Sequence, residues 1–184
     1  SANRFAAFVL SIIHGIPHHP WSRGHAFHHK YNGNWDRYRG PSALTTRQNY
    51  EQKNSTSKSL YRILRHPLLL FPGGFYYLII KPRIALLFGF FECAFQCLSK
   101  ACSELRRGRV PNLFSLINQH QSSFFYTRGE VVDTVANTFF LFLAWWMIGG
   151  AIGHLHFWML YVCVMSCSAA LMIAVFFVQY NFPG

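Results

Sequence analysis

The sequence predicts an all-α integral membrane fold: a transmembrane helix hairpin plus interfacial helices, forming a fragment of a larger helical domain. Of the 184 residues, 52% are hydrophobic and 18% aromatic, but only 12% are charged. An ordinary soluble domain carries about a quarter charged residues, so this deficit argues against a water-soluble globule. Two uncharged stretches, 134–153 and 155–178, reach the roughly 20 apolar residues that a bilayer-crossing helix needs. The formal charge of +11 is unevenly placed. It suits either nucleic acid or an anionic membrane surface, and the hydrophobic fraction favours the membrane. The length allows one domain.

In chain order, the sequence opens at Ser1 without a Met and stops at Gly184 shortly after an apolar run, so it reads as a fragment. Residues 5–13 are apolar but short, and Pro17 and Pro20 interrupt any helix beyond them. Residues 22–58 are polar and belong in water or at the headgroups. Between 57 and 66, Leu60, Tyr61 and Leu64 lie among Lys58, Arg62 and Arg65, a pattern that suits a helix along the membrane interface, ended by Pro67. The 22–66 region is thus a histidine-bearing and interfacial region, expected on the cytoplasmic side if 67–98 does not cross. Residues 67–98 hold two apolar segments too short to span. The first is broken by Pro72-Gly73-Gly74 and closed by Lys81-Pro82-Arg83, and the second carries Glu92, an expensive group in lipid when unpaired. They read as re-entrant or interfacial.

Residues 100–130 read as a polar loop with Lys100, Arg106, Arg107, Arg109 and Arg128. Residues 134–178 then form the transmembrane hairpin, as helices because only they satisfy their own backbone in lipid. The turn near 149–156 has no Lys or Arg, so the positive-inside rule places 100–130 in the cytoplasm and returns Gln179 to that side. Residues 22–58 share it if 67–98 does not cross. The five cysteines, 93, 97, 102, 163 and 167, lack zinc-ribbon spacing and read as packing residues.

Six of the ten histidines fall between 14 and 29. His25-Ala26-Phe27-His28-His29 has the spacing H-x-x-H-H; on a helix, positions i, i+3 and i+4 share a face, so three imidazoles can converge on a metal. Neutral imidazole suits iron, zinc, copper or nickel, and no neighbouring cysteine points to a thiolate site. His14 and His18 repeat an H-x-x-x-H spacing, but Pro17 disfavours a helical conformation at Ile16 and keeps them off one turn. His19, His66, His120, His154 and His156 read as surface, cap or interface residues.

These residues resemble the membrane fatty acid desaturases around their second histidine box. Pro17 to Trp21 and Ser22 to His29 look like the family's turn plus box, and Gly33-Asn34-Trp35-Asp36 resembles its tail. Leu44 to Tyr50 is similar to its threonine-containing stretch, Tyr61 to Phe71 to its basic helix and interfacial segment, and Phe176 to Phe182 to the end of its last transmembrane helix. The likeness is strong over 17–83 and 130–184 and weak between.

It implies a cytoplasmic di-iron centre that uses O2 and two external electrons, from a ferredoxin or cytochrome b5-type donor, to put a C=C bond into a lipid acyl chain. His25, His28 and His29 are then iron ligands. The family's other two boxes are not in these 184 residues, so the remaining ligands lie elsewhere, and the chain alone is expected to bind little iron and be inactive. Where relatives often carry a histidine, this chain has Tyr180; Gln179 or Asn181 are candidates to contact metal-bound water. Trp145, Trp146, Phe139, Phe140 and Phe142 either line an acyl groove or, as apolar aromatics more commonly do, face lipid and pack helices. The organelle, acyl carrier, double-bond position and further catalytic residues are not readable. Two alternatives remain: a di-iron hydroxylase of lipids, alkanes or carotenoids, and a non-catalytic basic protein binding anionic membrane lipids through Arg37, Arg39, Arg47, Lys53, Lys58, Arg62 and Arg65. No nucleic-acid partner is expected.

Overall fold

The computed structural model describes residues 2–31 and 45–180, and every regular element among them is helical. The stretch Gly33 to Asp36, Arg37, Arg39, Leu44 and Asn181 lie outside the described residues. Helix α1 (Ala2–His14) and α2 (His18–Lys30) meet at Gly15-Ile16-Pro17. Gly15 has φ +74°, and Pro17 holds an extended ψ of 128°. This is the break expected from Pro17, but Pro20 interrupts nothing: it lies in the first turn of α2, where its missing N–H is free anyway.

Side-chain caps set the next two helices. Thr46 Oγ1 accepts from Asn49 N at 3.2 Å to start α3 (Arg47–Glu51), and Asn54 Oδ1 accepts from Ser57 N at 2.8 Å to start α4 (Ser55–Leu64). No α4 residue is buried, and Leu60, Ile63 and Leu64 are exposed.

The expected breaks after Pro67 are not there. A 3-10 turn (Pro67–Leu69), α5 (Leu70–Phe75), a π turn (Tyr76–Ile80) and α6 (Lys81–Arg106) run on without a loop. Pro72 falls in the first turn of α5, where its missing N–H is free anyway, and Pro82 opens α6 directly after the wide π turn. The reading of 100–130 as a loop is also overturned, because α6 reaches Arg106 and α7 (Leu113–Gln119) follows. The cause is tertiary: Cys97 and Ala101 bury against Leu116 of α7, with Cys93 packed alongside. Cys102, Cys163 and Cys167 are exposed, so the packing role holds for the α6 pair.

Glu92 is not unpaired. Its carboxylate accepts from Ser123 Oγ (2.5 Å), Ser123 N (3.0 Å) and Ser122 Oγ (3.4 Å), with His120 Nε2 at 3.9 Å. The Ser123 hydroxyl and then its backbone N–H hold this carboxyl below its ordinary value of 4.5. A depressed carboxylate pKa stabilises the fold above the unfolded value and loses that contribution as pH falls. The thermal midpoint is therefore expected to drop on acidification through about pH 4.5, and Glu92→Gln to flatten that part of a Tm-against-pH curve.

Thr127 Oγ1 accepts from Glu130 N at 3.2 Å and starts α8 (Arg128–Ile152), six residues before the apolar stretch. Gly153, at φ +89°, alone separates α8 from α9 (His154–Tyr180). Both are long and apolar enough to cross a membrane. Few of their residues are buried, 17% and 11% of the most apolar windows, whereas the core helix of a soluble protein is mostly covered. Trp146, Leu155 and Leu171 are each about 70% exposed. Their inner faces pack closely. Gly74 of α5 meets Ala169 of α9, and Phe8 of α1 meets Phe140 at 5.9 Å between ring centres. Trp145 packs against Trp158 and Tyr161 at 4.9 and 5.2 Å.

Candidate metal centre

Helix α2 has no acidic residue in its first turn, and its capping position is Pro17, which offers no side-chain acceptor. Its N-terminus is instead capped from α8: His19 N donates to Asp133 Oδ2 at 2.9 Å. One turn on, Arg23 Nε donates to Glu130 Oε1 at 2.5 Å, while Glu130 Oε2 accepts from Tyr126 N at 3.0 Å. The Arg23 guanidinium lies 3.9 Å from the centre of the Tyr126 ring. Glu130 is only 3% exposed, so both oxygens of this carboxylate are spent inside the protein.

On another side of α2, Trp21, His25 and His29 form an i, i+4, i+8 stripe. Trp21 stacks on His25 at 4.7 Å and 13°, and the His25 and His29 rings meet at 4.4 Å and 90°. Their Nε2 atoms are 3.0 Å apart. This is a hydrogen-bond distance, with the donor set by the tautomer; the same spacing suits two imidazoles at right angles on one ion, with bonds of about 2.0–2.1 Å. Burial, and then the nearby His29, push the His25 pKa down and favour the neutral imidazole, the form that ligates. The third candidate, His28, sits in α2, but its side chain lies outside the described residues. Among the described residues no group of three or more His, Cys, Asp and Glu gathers to hold an ion.

The other histidines do not join this pair. His14 Nδ1 accepts from Ile16 N at 3.2 Å at the α1–α2 joint; burial, and less so His18, lower its pKa. His66 caps its turn through Leu68 N, and His120 contacts Gln96. Trp145 is a packing residue. Phe139, Phe140, Phe142 and Trp146 are 42–70% exposed, with Phe140 against Phe8 and Phe142 against Trp145. Gln179 and Tyr180 lie in α9, with side chains outside the described residues.

A second polar node fixes the same joint. Arg83 donates to Gly15 O at 2.5 Å, to Ile79 O at 2.9 Å and to Asn137 Oδ1. Asn137 Nδ2 donates to Ser11 O and Ser11 Oγ at 2.8 and 2.9 Å, and both residues are fully buried. Burial pushes the Arg83 pKa down to about 10, which leaves it charged at neutral pH. Sequence reasoning took Arg83 for the end of a segment and Glu130 for loop. The signal that could have found the α8 site is Glu130-x-x-Asp133, two of only six acidic residues, one turn apart at a helix start. No protein-family model, curated protein or solved structure matches this chain.

Proposed function

We propose that the chain is the second-histidine-box part of a membrane acyl-lipid desaturase, an O2-dependent oxidoreductase that introduces a C=C bond into a lipid acyl chain. The supporting observation is the His25–His29 pair, with Nε2 atoms 3.0 Å apart at the H-x-x-H-H spacing. In this reading α8 and α9 span the bilayer in a multi-pass protein, with the histidine face cytoplasmic. His25, His28 and His29 hold iron, completed by ligands outside these residues. Bound iron supplies the activation of O2, with two electrons from a ferredoxin or cytochrome b5-type donor, needed to remove two hydrogens from an unactivated acyl segment. The chain's own part is to present the imidazoles, to hold α2 against α8, and to keep the acyl chain in an apolar, water-poor setting between helices.

The test is product analysis by mass spectrometry of acyl chains from membranes containing the complete protein and a reductant. The expected result is acyl chains two hydrogens lighter, lost in His25→Ala, His28→Ala and His29→Ala at equal protein abundance. Acyl chains one oxygen heavier would replace desaturation by hydroxylation, and full activity in His28→Ala would overturn the metal reading.

A further inference from the structure

The histidine stripe leaves α2 on one side while α8 grips the other. At about 100° per residue, His25 lies roughly 200° around the helix from Arg23, and His29 roughly 240°. The grip has two points, His19 N on Asp133 and Arg23 on Glu130, one turn apart on each helix. With Gly15 O before α2 already held by Arg83, one point would still leave the helix free to rotate about its axis. Two fix both its height along α8 and its rotation. A slip of one residue would move the histidines by about 1.5 Å and turn them by about 100°, far beyond the tolerance of roughly 0.5 Å and 10–20° that a working metal centre allows.

We propose that Glu130 and Asp133 are positioning residues of the metal centre: from one face of α8 they set the height and rotation of α2, so that His25 and His29 point away from α8. The proposal rests on the desaturase reading for its catalytic consequence, but the geometry of α2 can be read without it. Asp133 acts on the α2 N-terminus, where a carboxylate meets unpaired N–H groups and the positive end of the helix dipole. Glu130 acts through Arg23, whose guanidinium is held at its edge by the carboxylate and on its face by Tyr126. The acids hold the His19 backbone and Arg23, so their effect on His25 and His29 runs through the placement of α2.

The experiment uses the complete protein with Glu130→Gln, Asp133→Asn, the double variant, and the exchange of Arg23→Glu with Glu130→Arg. Activity is read as kcat and KM, and α2 placement as the distance distribution between spin labels at Lys30→Cys and Val135→Cys. Each single variant is expected to lower kcat about 10-fold and the double about 100-fold at nearly constant KM. The label distribution is expected to broaden in the double variant, and the charge exchange to restore part of both losses. A double variant with wild-type kcat and a narrow distribution overturns the proposal, as does lost activity with an unchanged distribution. If the wild type yields no product while the double variant still broadens the distribution, the desaturase reading fails and the positioning of α2 stands.

Discussion

Arg83→Met is expected to destabilise the chain by about 2–4 kcal/mol, read as a lower midpoint in thermal or detergent-titration unfolding. Two effects oppose each other. Removing the guanidinium relieves the cost of holding a largely buried charge that has neutral acceptors only, Gly15 O, Ile79 O and Asn137 Oδ1. Against this, Gly15 O and Asn137 Oδ1 lose a charge-assisted donor in a setting from which water is excluded, and each stranded acceptor costs about 1–3 kcal/mol. The Ile79 carbonyl matters less, since it already belongs to the helical ladder. The stranding wins because two acceptors are lost for one charge removed, and because Asn137 in turn anchors Ser11 of α1. Arg83→Lys should recover only part of the loss, since one ammonium cannot reproduce the planar fork that serves three oxygens. Equal stability of Arg83→Met and wild type would show that the node contributes nothing net.

Gly74→Val is expected to cost at least as much, about 3 kcal/mol or more, and to detach α5 from α9. A Cβ at Gly74 would stand 2.9 Å from Ala169 Cβ, 3.0 Å from its carbonyl carbon and 3.2 Å from its oxygen. Two of these neighbours are backbone, which cannot swing aside as a side-chain tip can, so the helices must separate. Separation uncovers Ala169 and Ala170, now 2% and 5% exposed. Gly74→Ala should show a smaller loss in the same direction. At Gly73, where the added carbon meets nothing within 4 Å, the same change is expected to be near neutral. Thermal unfolding of the three variants side by side checks the ordering.

The hairpin was legible because length and apolarity are local properties, and a bilayer-long run needs no partner to be recognised. The approach of His25 and His29 was legible for the same reason: helical periodicity brings i and i+4 together whatever surrounds them. The extension of α6 was not. Cys93, Cys97 and Ala101 are a weak stripe in a polar stretch and become a core only when Leu116 arrives from α7. Glu130 read as the end of a polar loop and Asp133 carried no reading, since their partners lie more than a hundred residues earlier in the chain. Long-range polar pairs of this kind leave no periodic trace.

The first turns of α8 carry Glu130, Asp133, Thr134 and Asn137, three of them buried and all on the side facing α1 and α2. Over the same turns Val132, Val135 and Phe139 are 66%, 48% and 62% exposed. The polar side of these turns is covered by α1 and α2, and the side left bare is apolar. In the spanning arrangement proposed here, the carboxylates and the amide would meet protein where they would otherwise meet hydrocarbon, and α8 could enter the bilayer about two turns earlier than its sequence polarity suggests.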